Sequence, residues 1–267
     1  MDIETEQRLE LAKNLVREAG AMALDFFSSL SELVVEQKSM QDLVSNADRD
    51  VEIFIREALN KAFPNDGIVG EEHDNVEGSS GYTWVIDPID GTANFLTSIP
   101  AWCVVLACVH NDETIIGAIF VPNNDELFWG AKGAGAFLND EPIKTAETRG
   151  LHDGNTGVGL NGRTPTKQVI DFIELLLEKN GIFYRNASGA LMLAYVAAGR
   201  LIGYAEPHMN AWDCVAAQLL IAEAGGCVEK QSADMMLEKG GRVVASTPAI
   251  FDELVEMADK AFNDTPA

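Results

Sequence analysis

A chain of 267 residues, set against roughly 150 residues per domain, is one large domain or two closely joined ones. Its 47% hydrophobic and 23% charged residues can bury a sizeable core, which excludes intrinsic disorder. Acidic residues number 42 and basic ones 19, a net charge of −23; this excludes sequence-independent binding to a nucleic-acid backbone but not a small anion held through bound cations.

Leu11, Leu15, Met22, Phe26 and Leu30 recur at helical spacing and predict a long helix over residues 5–30. Ser31 to Asp42 breaks the pattern as a loop or short hairpin. Ser45-x-x-Asp48 has the form of a capping box and opens a second helix, with Val51, Phe54, Ile55, Ala58, Leu59 and Ala62 on its apolar face, that stops before Pro64. Four β-rich runs follow, Tyr82–Asp87, Trp102–His110, Thr114–Val121 and Glu126–Ala131, and short turns between the last of them predict antiparallel pairing.

A polar stretch from Thr145 to Asn155 marks the expected boundary between residues 1–145 and 146–267. Beyond it strands and helices alternate: a strand near Thr156–Leu160, a helix Thr166–Lys179, a helix Ser188–Ala198, a strand Leu201–Ala205, a helix Ala211–Ala224 closed by Gly225-Gly226, a strand Val243–Ser246 and a helix Pro248–Phe262. The fold class is α/β, α+β in the first half and alternating in the second. No apolar run is long enough to cross a membrane, the acidic N-terminus is not a signal peptide, and Cys103, Cys108, Cys214 and Cys227 form no C-x-x-C pair. The expectation is a soluble cytoplasmic protein with reduced thiols, partnered by neither membrane nor nucleic-acid polymer.

The chemistry concentrates in Trp84-Val85-Ile86-Asp87-Pro88-Ile89-Asp90-Gly91-Thr92-Ala93-Asn94-Phe95. Here an apolar strand ends in a carboxylate, a proline turns the chain, and a second carboxylate stands three residues on. A hard cation such as Mg²⁺ wants several oxygen ligands, which Asp87, Asp90 and the Ile89 carbonyl can supply. The N–H groups of Gly91 and Thr92, at the start of a short helix, can hold a phosphate. Either aspartate alone would more often be an Asp-Pro turn with a polar cap. Asp213 alone would be a first-turn helix acid and Glu71 a solvated surface acid.

Together these segments resemble the inositol monophosphatase family of magnesium-dependent, lithium-sensitive phosphatases. Trp84–Phe95 matches the first family signature, and Trp212-Asp213 through Glu223-Ala224-Gly225-Gly226 the second. Asp42-Leu43-Val44-Ser45-x-x-Asp48, Gly70-Glu71-Glu72, Gly133-x-Gly135-x-Phe137 and Arg185-x-x-Ser188 support them in order and spacing. The resemblance implies a layered αβαβα sandwich with the metal site between its halves, and commonly a homodimer. It implies Mg²⁺ held by Glu71, Asp87, the Ile89 carbonyl, Asp90 and Asp213, with Asp87 bridging two ions. Glu71, Thr92 and Asp48 would be catalytic, Asp48 supporting Thr92 as it orients the attacking water. Gly91, Thr92, Asp90, Gly189 and Glu206 would contact phosphate and substrate. The implied reaction is hydrolysis of a small polyol phosphate, inositol 1-phosphate foremost. Histidinol phosphate, fructose 1,6-bisphosphate and adenosine 3',5'-bisphosphate share the first motif, and a catalytically silent regulatory scaffold is the alternative outside enzymes.

The substrate side departs from the family pattern. Ala187 stands where glycine is usual, Gly189 where alanine is usual, His208 and Asn210 replace a glycine and a histidine, and Ile202 replaces a frequent aspartate. Two patterns lead elsewhere. Gly157-Val158-Gly159-Leu160-Asn161-Gly162 fits G-x-G-x-x-G, but Arg163-Thr164-Pro165 intervenes where a dinucleotide site needs a helix to open. His208 and Cys214 flank Asp213 without the further ligands zinc requires.

Overall fold

Helix α1 (Ile3–Phe27) is capped by the Asp2 carboxylate, which accepts from the Thr5 amide at 2.8 Å. Its stripe Leu9, Ala12, Leu15, Val16, Ala19 and Ala23 is buried. The hairpin β1 (Val35–Ser39) and β2 (Asp42–Ser45) leads into α2 (Asn46–Ala62). The computed structural model describes residues 1–30, 33, 35–39, 42–162 and 164–262. Part of the Ser31–Asp42 loop and Arg163 lie outside the described residues.

From α2 the chain builds β3 (Gly67–Gly70), β4 (Tyr82–Asp90), the short helix α3 (Thr92–Leu96), β5 (Cys103–His110), β6 (Glu113–Val121), β7 (Glu126–Ala131), β8 (Gly135–Leu138) and β9 (Glu141–Pro142). These strands form one seven-stranded sheet in chain order, parallel between β3 and β4 and antiparallel thereafter. The rest comprises β10 (Asn155–Val158), α4 (Thr166–Glu178), β11 (Ile182–Tyr184), α5 (Gly189–Ala197), β12 (Gly203–Met209), α6 (Ala211–Glu223), β13 (Cys227–Val228), α7 (Ala233–Lys239), β14 (Gly241–Ser246) and α8 (Phe251–Phe262). Its five-stranded sheet runs β11-β10-β12-β14-β13.

Three apolar cores explain the layering. The first joins α1 and α2 to one face of the large sheet, through Trp84 and Ile86 of β4 and Val104, Leu106 and Cys108 of β5. The alternate residues Val85, Cys103, Val105 and Ala107 face the opposite way, into a second core with α5, α6 and the small sheet. The third packs α4 and α8 on the outer face of the small sheet. The order is therefore helix, sheet, helix, sheet, helix: the αβαβα sandwich. β5 reads as a continuous apolar run because it is buried on both faces. Among the described residues no helix is long and apolar enough to cross a membrane.

The structure corrects two strand ends. The strand expected to stop at Asp87 runs on to Asp90, and the one expected to stop at Ala205 runs on to Met209. Proline turns the chain in neither case. Pro88 and Pro207 each sit within a bulge, where the missing N–H removes no ladder bond. Helix α8 starts at Phe251 rather than Pro248, after one 3₁₀ turn.

Candidate metal centre

The bulge in β4 decides where its carboxylates point. In a regular strand, residues three apart face opposite sides. Here Asp87 pairs with Val105 and Asp90 with Cys103, so three steps on β4 match two on β5. The extra residue returns Asp90 to the side of Asp87, the side on which Val105 and Cys103 meet α5 and α6. Asp213, third residue of α6, enters from that side. Asp87, Asp90 and Asp213 each present an oxygen within 4.8 Å of the others, a cluster that could hold a divalent metal ion. Glu71, just past β3, lies within hydrogen-bonding reach of Asp87.

Each acid is held by its own device. Asp90 Oδ2 accepts from the Ser188 hydroxyl at 2.6 Å and the Ala190 amide at 2.8 Å, at the start of α5. Its Oδ1 accepts from the Gly189 amide at 3.3 Å. Asp213 closes the capping box of α6, where its Oδ2 accepts from the Asn210 amide at 3.0 Å. Asp48 does the same for α2: its Oδ2 accepts from the Ser45 amide at 2.8 Å and hydroxyl at 2.7 Å. Its other oxygen faces Thr92, whose Oγ1 lies 3.1 Å from both Asp48 Oδ1 and the Ile89 carbonyl. Capping and facing the centre thus occupy different oxygens of one aspartate. Gly91, at φ 100°, immediately precedes α3, and a Cβ there would come 2.9 Å from the Ala101 carbonyl.

The electrostatics ask for a cation. Burial, followed by the charges of Glu71, Asp90 and Asp213, pushes the Asp87 carboxyl well above its ordinary range. Burial also raises Asp90 and Asp48, against the hydrogen bonds that favour their ionised forms. Carboxylates gathered in a water-poor site repel one another unless protons or a metal intervene. The donor set is all oxygen, which suits Mg²⁺ better than zinc or copper.

Glu206 stands on the far side, in the bulge of β12. Its Oε2 accepts from the Tyr204 hydroxyl at 2.5 Å and its Oε1 from the Asn161 amide at 3.0 Å. Burial pushes its carboxyl up to about 7, against those two hydrogen bonds. The glycine-rich loop serves this packing, since a Cβ at Gly159 would come 2.0 Å from Glu206 Oε2. The terminal methyl of Met209 fills the space a Cβ at Gly189 would need. His208 Nε2 lies 3.0 Å from the Lys239 carbonyl and the Cys214 thiol donates to the Asn210 carbonyl, so both are committed to the backbone. Sequence reasoning missed Tyr204, Asn161 and the fully buried Glu52 of α2. The sign for Glu52 was there: an acid four residues after Asp48, beside the apolar stripe.

Comparison with known proteins places the chain. The sequence profile of the inositol monophosphatase family matches residues 4–261, and the chain belongs to that family. It is 39% identical over 222 residues to an inositol-1-monophosphatase of Rhizobium meliloti, covering 82% of this chain and 83% of that one. It is 40% identical over 214 residues to the Nus factor SuhB of Xylella fastidiosa, covering 79% and 78%. The crystal structure of the extragenic suppressor protein SuhB from Bartonella henselae superposes with a TM-score of 0.89 at 31% identity, over 95% of this chain and 99% of that one. An IMPase from Thermotoga maritima gives 0.85 at 29%, over 96% and 98%. Fold and acidic cluster are those of a metal-dependent phosphomonoesterase family.

Proposed function

We propose that the chain hydrolyses a small polyol phosphate, inositol 1-phosphate foremost, with Mg²⁺ as cofactor. The observation that carries this reading is the convergence of Asp87, Asp90 and Asp213 beside the Asp48–Thr92 pair. Glu71, Asp87, the Ile89 carbonyl, Asp90 and Asp213 would hold the metal. When bound, Mg²⁺ supplies a more acidic water and neutralises charge on the phosphate and leaving alkoxide. Asp48 accepts the proton of the Thr92 hydroxyl, which leaves the Thr92 oxygen free to accept from an attacking water and aim it. The Gly91 and Thr92 amides take the phosphate. Gly189, Asp90 and Glu206 line the alcohol side, where each Glu206 oxygen has a second lone pair for a substrate hydroxyl.

A panel of phosphate esters assayed with Mg²⁺ and with chelator tests the reading. Hydrolysis of a polyol phosphate that vanishes in chelator, returns with Mg²⁺ and falls with Li⁺ is expected; full activity in chelator refutes it. Glu206→Gln should lower kcat/KM on the polyol phosphate about ten- to a hundredfold while sparing p-nitrophenyl phosphate, which offers no hydroxyl there. We expect a homodimer, which the exposed apolar Ile182 and Phe183 on the edge strand β11 support. A second reading, a regulatory protein without turnover, draws on relatives that carry the name Nus factor. It predicts metal binding with no ester hydrolysed.

A further inference from the structure

Helix α2 carries two buried carboxylates one turn apart, Asp48 and Glu52, so they share a face of the same rod. Asp48 reaches Thr92. Glu52 reaches the turn that follows β3 and takes two of its partners from that turn. Glu52 Oε2 accepts from the Glu72 amide at 2.8 Å, and Oε1 from the His73 amide at 3.2 Å. Arg56, one turn further along α2, donates Nε to Glu52 Oε1 at 2.6 Å. It also donates Nη2 to the His73 carbonyl at 3.1 Å and Nη1 to the Asp74 carbonyl at 3.0 Å. The turn is therefore clasped by a carboxylate on its amides and a guanidinium on its carbonyls. The approach is close enough that a Cβ on Gly70 would come 2.3 Å from Glu52 Oε1 and 2.8 Å from Arg56 Nη2.

The residue aimed by this clasp is Glu71, which stands between Gly70 and the bonded Glu72 amide and faces Asp87. Burying a carboxylate completely is costly unless its oxygens are filled, and Glu52 fills them here with groups next to Glu71. We propose that Glu52, braced by Arg56, is a positioning residue that fixes the Glu71 carboxylate against Asp87 and ties it to the same helix that orients Thr92. This rests on the reading of Glu71 as a metal ligand made above.

The test is isothermal titration calorimetry with Mg²⁺ on the wild-type chain and on Glu52→Gln, which keeps the shape and removes the charge. Loss of a group that orients a ligand weakens metal binding about ten- to a hundredfold, and that loss is expected here. The Mg²⁺ concentration for half-maximal activity should rise by the same factor, while KM for the ester at saturating Mg²⁺ stays put. Excess Mg²⁺ should restore most of kcat. Arg56→Gln, which leaves the carboxylate in place, should give a smaller loss of the same kind, and it decides the matter if Glu52→Gln does not fold. Metal affinity within twofold of wild type in a folded variant overturns the proposal. A wild-type chain that binds Mg²⁺ but cleaves no ester overturns the functional reading alone, because the calorimetric comparison still decides Glu52.

Discussion

Glu206 offers a quantitative check on the environment inside the β12 bulge. Its carboxyl is pushed from an ordinary 4.5 up to about 7 by burial. Below pH 4.5 the native and unfolded chains both hold this proton, and the group leaves stability unchanged. Between 4.5 and 7 the unfolded chain releases it while the native chain keeps it, so stability falls as pH rises. The loss is complete above 7 and amounts to about 3 kcal/mol, at 1.36 kcal/mol per pH unit. Glu206→Gln cannot titrate and removes this loss. Its stability relative to wild type should therefore climb by about 3 kcal/mol from pH 4.5 to 7. A constant offset rides on that change, because the Gln amide must donate where Tyr204 or Asn161 donated before. Urea unfolding of both proteins in chelator, from pH 4 to 8, gives the difference directly. Asp48, Asp87 and Asp90 titrate in both proteins and largely cancel. A difference flat across the range would refute the argument.

Ala187→Gly should stabilise the protein by about 0.5–1 kcal/mol, since Ala187 sits at φ 64° in the left-handed region that a Cβ disfavours; a loss of stability in urea unfolding would show that the methyl packs usefully. Arg8→Met should cost about 3–5 kcal/mol, because it leaves Asp66 buried without the guanidinium that meets both its oxygens at 2.9 Å. A cost under about 1 kcal/mol on thermal unfolding would mean that Trp84 Nε1 and the Ser80 hydroxyl suffice for that carboxylate.

The helices and the central strands were legible because their burial writes a period into the sequence. α1 and α2 show apolar residues every three or four positions, and β5, β6 and β7 are apolar runs bounded by turns. Short strands carry no such mark. β3 has only Ile68 and Val69 between glycines, β13 is Cys227-Val228, and β11 is three residues at a sheet edge. Their pairing is set by the strands beside them, which local pattern does not record. The residues of the centre were legible as chemistry, not as geometry. Asp48 could be read as a helix cap or as a partner of Thr92, and only the structure shows one oxygen given to each.

Pro88 is expected to turn the chain where its strand ends; instead it lies inside a strand that continues past it, as Pro207 does in β12. In β4 the bulge spans Asp87 to Asp90; in β12 it spans Glu206 to Met209, where three steps on β12 match two on β14. Each inserts one residue between side chains that must share a face. Each also lies beside a helix start that adds the next group of the site, Thr92 of α3 after the first and Asp213 of α6 after the second. Without the insertion in β4, a period of two would turn Asp90 toward α1 and α2, away from the Ser188 hydroxyl and the α5 amides that hold it. The Asp-Pro-x-Asp spacing thus serves register before it serves chemistry: the proline sits within the bulge, where its missing donor breaks no ladder pairing, and the extra residue brings both carboxylates to the side of Asp213.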